Sequence, residues 1–366
     1  MRRMVPQTGL ALLAVLAAVG FAGSNQSTGA SLGRLAAHES RVPSWFVAQY
    51  NHGAGDAGGG SPDYLSAFST HDGRRLANLL NLDRLPGHLQ LNSLDRGRRG
   101  DIWLVMASGP DIKGPGGVAN PPTVPNSCRG ELLRLNPATG RLTVVWNSPH
   151  DEYLLGEQLA PNNKQLAIIS GHCKNNVPAE PVQILGLRTM HLRSIGANPS
   201  CGQLSFQSWS ADSRQVIVYA TPSSRSASVD TAARCHGISQ WRALNAAGTP
   251  QDLGRPVAIP TDRGWTITDL TALRGRLLVA EADAQRGSKE CRLRTVKAHA
   301  DHFGAPATIP GRCRSAGFEP DASRNAALVV VDRSETTTAI GIYTRSAYRP
   351  VRGYTIPATF LASIAW

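Results

Sequence analysis

From Val42 to the C-terminus, this chain of 366 residues sets short apolar runs rich in β-branched residues, Leu and aromatics between clusters of Gly, Pro, Asn and Asp. No stretch keeps a helical period for longer than about a dozen residues, so the pattern predicts strands joined by turns and an all-β body. A strand, a polar turn and a more apolar strand recur. Leu91 to Asp95 precedes Asp101 to Val105, Gln158 to Lys164 precedes Gln165 to Ile169, and Ser208 to Arg214 precedes Gln215 to Tyr219. Further copies run from Asp269 to Val279 and from Phe318 to Val330. Asp and Asn suit such turns because they tolerate left-handed backbone and bond their own main chain two residues on.

Most hairpins are followed by a longer loop and two more strands, as in Gly130 to Leu135, the turn Pro137-Ala138-Thr139-Gly140, and Arg141 to Trp146. Four strands make a blade whose faces are buried only against neighbouring blades, so the repeats must close into a ring. Counting from residue 42 gives six blades if the last strand, Phe360 to Trp366, is shared. That strand has no hairpin partner of its own. It is expected to be the innermost strand of the blade formed by Trp45 to Tyr50, Tyr64 to Ser69 and Arg75 to Leu80, which would remove the open edges of the ring. The expected fold is an all-β, six-bladed β-propeller with four-stranded antiparallel blades, closed by its C-terminal strand pairing with the N-terminal blade.

The segment Trp209-Ser210-Ala211-Asp212-Ser213-Arg214, followed by Gln215 to Tyr219, resembles the repeat of the TolB-type, WD40-like bacterial propellers, in which Trp-Ser-Pro-Asp-Gly-Lys precedes an apolar strand. Ala211 stands for the usual Pro and Ser213 for the usual Gly, while Asn162-Asn163-Lys164 and Pro320-Asp321 keep other parts of the pattern. The resemblance covers most of residues 42–366. It implies a six-bladed propeller and carries no catalytic residue, because the motif is structural.

The N-terminus adds a compartment. Met1-Arg2-Arg3 is basic, and Gly9 to Gly23 is apolar with small residues toward its end, which reads as a secretory signal over residues 1–23. Residues 24–41 are small and polar and read as a flexible linker; residues 42–366 read as one propeller domain. No later apolar run reaches membrane-spanning length, so the exported chain is expected in the cell envelope or outside the cell. An uncleaved N-terminal anchor is the alternative.

Six cysteines in an exported chain predict disulfides. None forms a Cys-x-x-Cys pair. From the blade assignment the pairs expected are Cys173–Cys201, Cys291–Cys313 and Cys128–Cys235. The formal net charge of +12 comes mostly from scattered arginines, which reads as a solvated surface. An anionic polymer partner is a lesser expectation, and no specific nucleic-acid site is expected.

On this blade assignment, the loops between second and third strands and the links between blades open on one face. That face carries the long irregular segments Asn51–Asp63, Ser108–Ser127 and Pro222–Arg234, where binding is expected. The candidate ligand residues there are His52, Asp56, Asp63, Asp111, His172 and His236. The spacing of a known metal site is absent, so no metal ligand is assigned and calcium is the cofactor to test. Gly53 to Gly58 matches Gly-x-Gly-x-x-Gly, but Gly59-Gly60-Ser61-Pro62 will not form the helix a dinucleotide site needs. Arg99-Gly100-Asp101 spells an adhesion tripeptide, yet Asp101 begins a strand. The seven tryptophans are expected to fill the seams between blades.

No nucleophile elbow, zinc helix or phosphate loop is present in the sequence. The expected function is therefore a non-catalytic binding module with an envelope or extracellular protein partner. The alternative is a propeller hydrolase or lyase acting on an extracellular polymer or small molecule.

Overall fold

The computed structural model describes residues 43–51, 63–85, 90–97, 100–108, 129–149, 152–172, 182–196, 203–221, 240–249, 254–283, 290–297, 303–334, 337–344, 347–356 and 364–366. The first blade holds β1 (Trp45–Asn51), β2 (Asp63–Ser69) and β3 (Arg75–Asn81). The second holds β4 (Gln90–Arg96), β5 (Ile102–Ser108), β6 (Arg129–Asn136) and β7 (Arg141–Asn147). The third is β8 (Glu152–Leu159), β9 (Gln165–His172), β10 (Val182–Gly186) and β11 (His191–Ile195). The fourth is β12 (Gln203–Trp209), β13 (Gln215–Thr221), β14 (Gln240–Asn245) and β15 (Arg255–Pro256). The fifth is β16 (Trp265–Leu273), β17 (Arg276–Asp283), β18 (Cys291–Lys297) and β19 (Ala307–Ile309). The sixth is β20 (Ser315–Pro320), β21 (Ala326–Ser334), β22 (Thr337–Thr344) and β23 (Ala347–Ile356).

The chain then returns to the first blade as β24 (Ile364–Ala365) and pairs antiparallel with β1, Val47 opposite Ala365 and Ala48 opposite Ile364. The sheets are six, each four-stranded and antiparallel, with β24, β4, β8, β12, β16 and β20 innermost. The expected fold and its closure are therefore present. The closing strand is short: residues 357–363 lie outside the described residues.

Each blade buries its faces against its neighbours, as a sheet with no layer of its own must. The buried apolar residues fall into clusters that join adjacent blades all the way round. Trp103, Val105 and Leu132 of the second blade meet Leu154 and Ile168 of the third. Trp209 and Val216 of the fourth meet Ile169 and Ile184 of the third. Phe46 and Trp366 meet Ala326 and Leu328 across the closing seam. Trp45, Trp209 and Trp366 are all but completely buried, which fits the packing role expected for these three, whereas Trp265 is only partly buried and lies under the Arg292 guanidinium.

The repeat motif shapes the turns between first and second strands. Asp212 Oδ1 accepts the Arg214 N–H at 3.0 Å, and Ser210 Oγ accepts the Gln215 N–H at 2.9 Å. Asn162 Oδ1 and Asp321 Oδ1 accept the N–H groups of Lys164 and Asn325, each at 2.8 Å. The consensus glycine position of these turns is left-handed in every case: Asn163, Ser213 and Arg324 have φ of 55°, 62° and 58°. An Asn is at ease there, whereas an Arg is uncommon.

Of the expected disulfides, Cys291–Cys313 is formed, its Cα atoms 5.5 Å apart. It ties the start of β18 to the link leading into the sixth blade. Cys128, Cys173, Cys201 and Cys235 lie outside the described residues. No helix among the described residues is long and apolar enough to cross a membrane.

Candidate functional site

The turns between first and second strands all lie at one end of the central channel, opposite the loop face where binding is expected from sequence. At this end the last residues of the inner strands converge. Strand registers place Asp95, Gln158, Ser208, Thr271 and Glu319 at the same position of successive blades, facing Trp103, Ala167, Ile217, Leu278 and Leu328 of their own second strands.

Three of these residues, Asp95, Gln158 and Ser208, tie their blade to the next. Asp95 Oδ2 accepts the backbone N–H of Leu159. Gln158 Oε1 accepts that of Trp209 at 3.0 Å, and the Trp209 indole N–H returns a bond to the Gln158 carbonyl at 2.8 Å. Ser208 Oγ accepts the N–H of Ala272 at 3.1 Å. The series would continue from Thr271 to residue 320, but that residue is proline and has no N–H. The bond moves back by two residues on both strands: Asp269 Oδ2 accepts the N–H of Phe318 at 2.8 Å.

The displaced Thr271 hydroxyl meets Ser208 Oγ at 3.0 Å. Arg324 reaches both, its Nη1 lying 3.2 Å from Ser208 Oγ and 3.5 Å from Thr271 Oγ1. Its buried guanidinium thus extends from the sixth blade to the fourth and fifth. The side chain lines a narrow cavity together with Asp95, Gln158, Asn163, Glu319 and Asp321, with room for about one water molecule.

The electrostatics are strongly acidic. Burial pushes the Asp95 carboxyl up to about 6, against the opposing pull of the Leu159 N–H and the Arg324 charge. Burial pushes Asp269 up to about 7. Glu157 and Glu319 are held well above the ordinary carboxylate range, first by burial and then by the charge of Asp95. Both carboxylate oxygens of Glu157 are buried, and the neighbouring Ser93 hydroxyl is the donor that acts against its upward shift. The Arg324 charge opposes the upward shift of Glu319. No cluster of His, Cys, Asp or Glu with metal-holding geometry occurs among the described residues.

Of the ligand residues expected on the loop face, Asp63 begins β2 opposite Asn51, and His172 ends β9 opposite Glu152. Both strand ends lie at the end of the ring opposite the tight turns. His52, Asp56, Asp111 and His236 lie outside the described residues. That face also carries a compact ion-pair network in the fifth blade. Arg292 bonds the buried Glu281 at 2.6 Å and Asp262 at 2.7 Å, and Arg294 bonds Asp262 at 2.6 Å. The two guanidinium groups lie over the rings of Trp265 and Phe303, at 3.9 and 3.7 Å. With two cations matched to two anions, the network reads as structural.

Sequence reasoning missed Asp95, Glu157, Asp269, Glu319 and Arg324. A signal was there: a polar residue stands just before the turn in β4, β8, β12, β16 and β20, where an apolar core position would otherwise be expected.

No family model matches the chain, and no curated protein matches it. Solved structures do. TolB from Acinetobacter baumannii aligns with a TM-score of 0.52 at 12% identity, over 88% of this chain and 66% of that one. A protein assigned as TolB in Agrobacterium tumefaciens aligns at 0.49 and 9% identity, over 87% and 92%. A prolyl endopeptidase structure aligns at 0.47 and 11% identity, over 87% and 49%. The chain spans about two thirds of the length of the Acinetobacter protein. With its ring of six four-stranded blades and its degenerate turn motif, the chain has the fold of the TolB-type six-bladed β-propellers.

Proposed function

We propose that the chain is an exported binding module of the cell envelope or extracellular space, with no catalytic activity of its own and a protein as its partner. The observation that carries the reading is the acidic channel end. Its carboxyls are raised by burial with Arg324 as their opposing charge, and the cavity lined by Asp95, Glu319 and Asp321 has room for about one water molecule. Such a space admits one small group of a partner, not a substrate to be turned over. Export is supported by the basic and apolar start of the sequence and by a formed disulfide, a bond that persists in oxidising compartments. The likeness to TolB structures supports the fold and adds no partner.

A hydrolase or lyase is the second reading, because carboxyls raised to about 6 and 7 at Asp95 and Asp269 are suited to general acid catalysis. One experiment separates the two. The oxidised protein is offered esters, peptides and glycans in turnover assays and envelope proteins in direct binding titrations. Saturable binding without turnover supports the module. Turnover that is lost in Asp269→Asn replaces it with the enzyme. Calcium belongs in the same titrations, as the cofactor proposed for the loop face.

A further inference from the structure

We propose that the end of the ring that carries the tight turns is a cationic docking surface for a membrane of acidic phospholipids. The inference goes beyond the binding-module reading and does not rest on it: it names the surface on which the exported chain is held.

Because the strands of a blade alternate in direction, the turns between first and second strands and those between third and fourth strands lie at this one end. Every blade places an exposed cation there. These are Arg74 before β3, Arg141 at the start of β7, Lys164 before β9, Arg214 before β13, Arg274 before β17 and Arg349 near the start of β23. Arg188 and Arg255 are exposed at the same end. Against them, the exposed acids at this end among the described residues are Asp72 and Asp212. Arg214 lies 4.0 Å from Asp212 with both side chains mostly in solvent, a contact worth little. The carboxyls inside the channel end are raised by burial and accompanied by the buried Arg96 and Arg324, so they take little from the charge of the rim. At the opposite end of the ring Arg129, Arg292 and Arg294 are each ion-paired, to Glu131, Glu281 and Asp262.

The shape of the patch selects the partner. Turns of neighbouring blades are tied together: Asn162 donates its N–H to Ser213 Oγ at 3.0 Å, Arg274 its N–H to the Arg324 carbonyl at 2.9 Å, and Arg349 Nη2 donates to the Thr70 carbonyl at 3.2 Å. The cations therefore stand around a ring on one packed surface, not along a stripe. A linear polyanion is matched by a stripe or groove, whereas a bilayer presents anionic headgroups across a plane and attracts each basic residue held near it. The path of the chain points the same way. The Pro43 and Ser44 carbonyls accept the Thr70 hydroxyl and N–H, at 3.1 and 3.0 Å, so the chain enters the ring at this end. The basic start of the sequence and its apolar run from Gly9 to Gly23 are thus joined to the cationic face by residues 24–42, which turns this face, not the loop face, toward the membrane crossed during export.

The test is co-sedimentation of the oxidised chain, as it is exported, with vesicles of phosphatidylcholine alone and with vesicles of equal parts phosphatidylcholine and phosphatidylglycerol. Binding to the acidic vesicles, none to the neutral ones, and a steady loss with added salt are expected. Lys164→Glu combined with Arg274→Glu should weaken that binding about thirtyfold, at about fivefold for each basic residue taken from the surface. Arg263→Glu combined with Arg312→Glu makes the same change of net charge on exposed residues at the opposite end. This second pair should leave binding nearly unchanged, because charges beyond a Debye length of about 8 Å are screened. All four positions are exposed, and the melting transition of each double variant checks its fold. Equal binding to neutral and acidic vesicles, no binding to either, or an equal loss in the two double variants would overturn the proposal. Heparin or a poly-glutamate peptide that binds more tightly than the acidic vesicles would assign the face to a soluble polyanion or an acidic protein, and would overturn it as well.

Discussion

Asp95 of the second blade accepts the backbone N–H of Leu159 in the third, and the same side-chain-to-backbone bond recurs from Gln158 to Trp209 and from Ser208 to Ala272. Each bond satisfies an inner-strand N–H that has no ladder partner on the channel side. Replacing the acceptor by Ala leaves a buried donor unpaired, at a cost of about 1–3 kcal/mol. Gln158→Ala and Ser208→Ala should each lower the urea midpoint accordingly, with the slope of the transition unchanged. Asp95→Asn, which keeps an acceptor oxygen, should lose less than Asp95→Ala. Equal losses in the two Asp95 variants would show that charge, not the bond to Leu159, matters there.

The raised carboxyls set an unusual pH dependence. Asp95 titrates at about 6 and Asp269 at about 7 in the folded protein, against about 4 in an unfolded chain. Between those values the folded state holds more protons, so stability is full below the unfolded value and is lost as pH rises through 6 to 7. Asp72, Asp212 and Asp262 shift the other way, and their contribution is lost only as pH falls below about 4. The melting temperature should therefore be several degrees higher at about pH 5 than at about pH 8. Asp269→Asn should flatten that slope. A melting temperature that rises steadily over this interval would contradict the assignment.

The blades were legible in the sequence because each one repeats the same physical pattern: an apolar strand facing a neighbour, and a turn whose Asp or Asn bonds its own backbone. Trp209-Ser210-Ala211-Asp212 carries that pattern openly, and Pro320-Asp321 carries half of it. The channel site was not legible because Asp95, Gln158, Ser208, Thr271 and Glu319 share a position and a task but not a residue type. Their common role appears only when the register places each beside the next blade. Pro320 deepens the concealment, since removing one N–H moves the bond to Asp269 and Phe318 and frees Thr271 to meet Ser208 and Arg324. The expectation of a binding face drew on loop length, which favours the end with long loops over the end with tight turns.

The Cys291–Cys313 bridge encloses a separation of 22 residues and lies in the buried cluster joining the fifth and sixth blades. A loop of that size corresponds to about 3 kcal/mol of chain entropy withheld from the unfolded state. Both sulfurs are also packed, at 1% and 2% exposure, so Cys291→Ala with Cys313→Ala adds a cost from the lost volume. The double variant should melt several degrees below the parent under oxidising conditions. Because the bridge spans only part of the ring, reduction of the parent should reproduce most of that loss without the packing component. Identical melts of the parent, its reduced form and the double variant would show that the bridge does not stabilise the native ring.

Closure of the ring depends on a few residues at the end of the chain. Ile364 and Ala365 pair with Ala48 and Val47, and Trp366, 1% exposed, fills the seam between the sixth and first blades beside Phe46, Ala326 and Leu328. Trp366→Ala should cost about 3–5 kcal/mol, the range for a buried aromatic cut back to a methyl group. Removing Ile364 to Trp366 should cost at least as much and also bare the inner edge of β1, an apolar strand whose Trp45, Phe46 and Val47 are otherwise fully buried. An exposed edge of that kind recruits other strands, so the truncated chain should elute earlier than the parent while Trp366→Ala keeps the parent's elution volume. Denaturant melts and size-exclusion chromatography check both parts. A truncated chain that melts with the parent and keeps its elution volume would mean that the first blade is stable as a three-stranded sheet, and that the ring is held shut by its apolar seams alone.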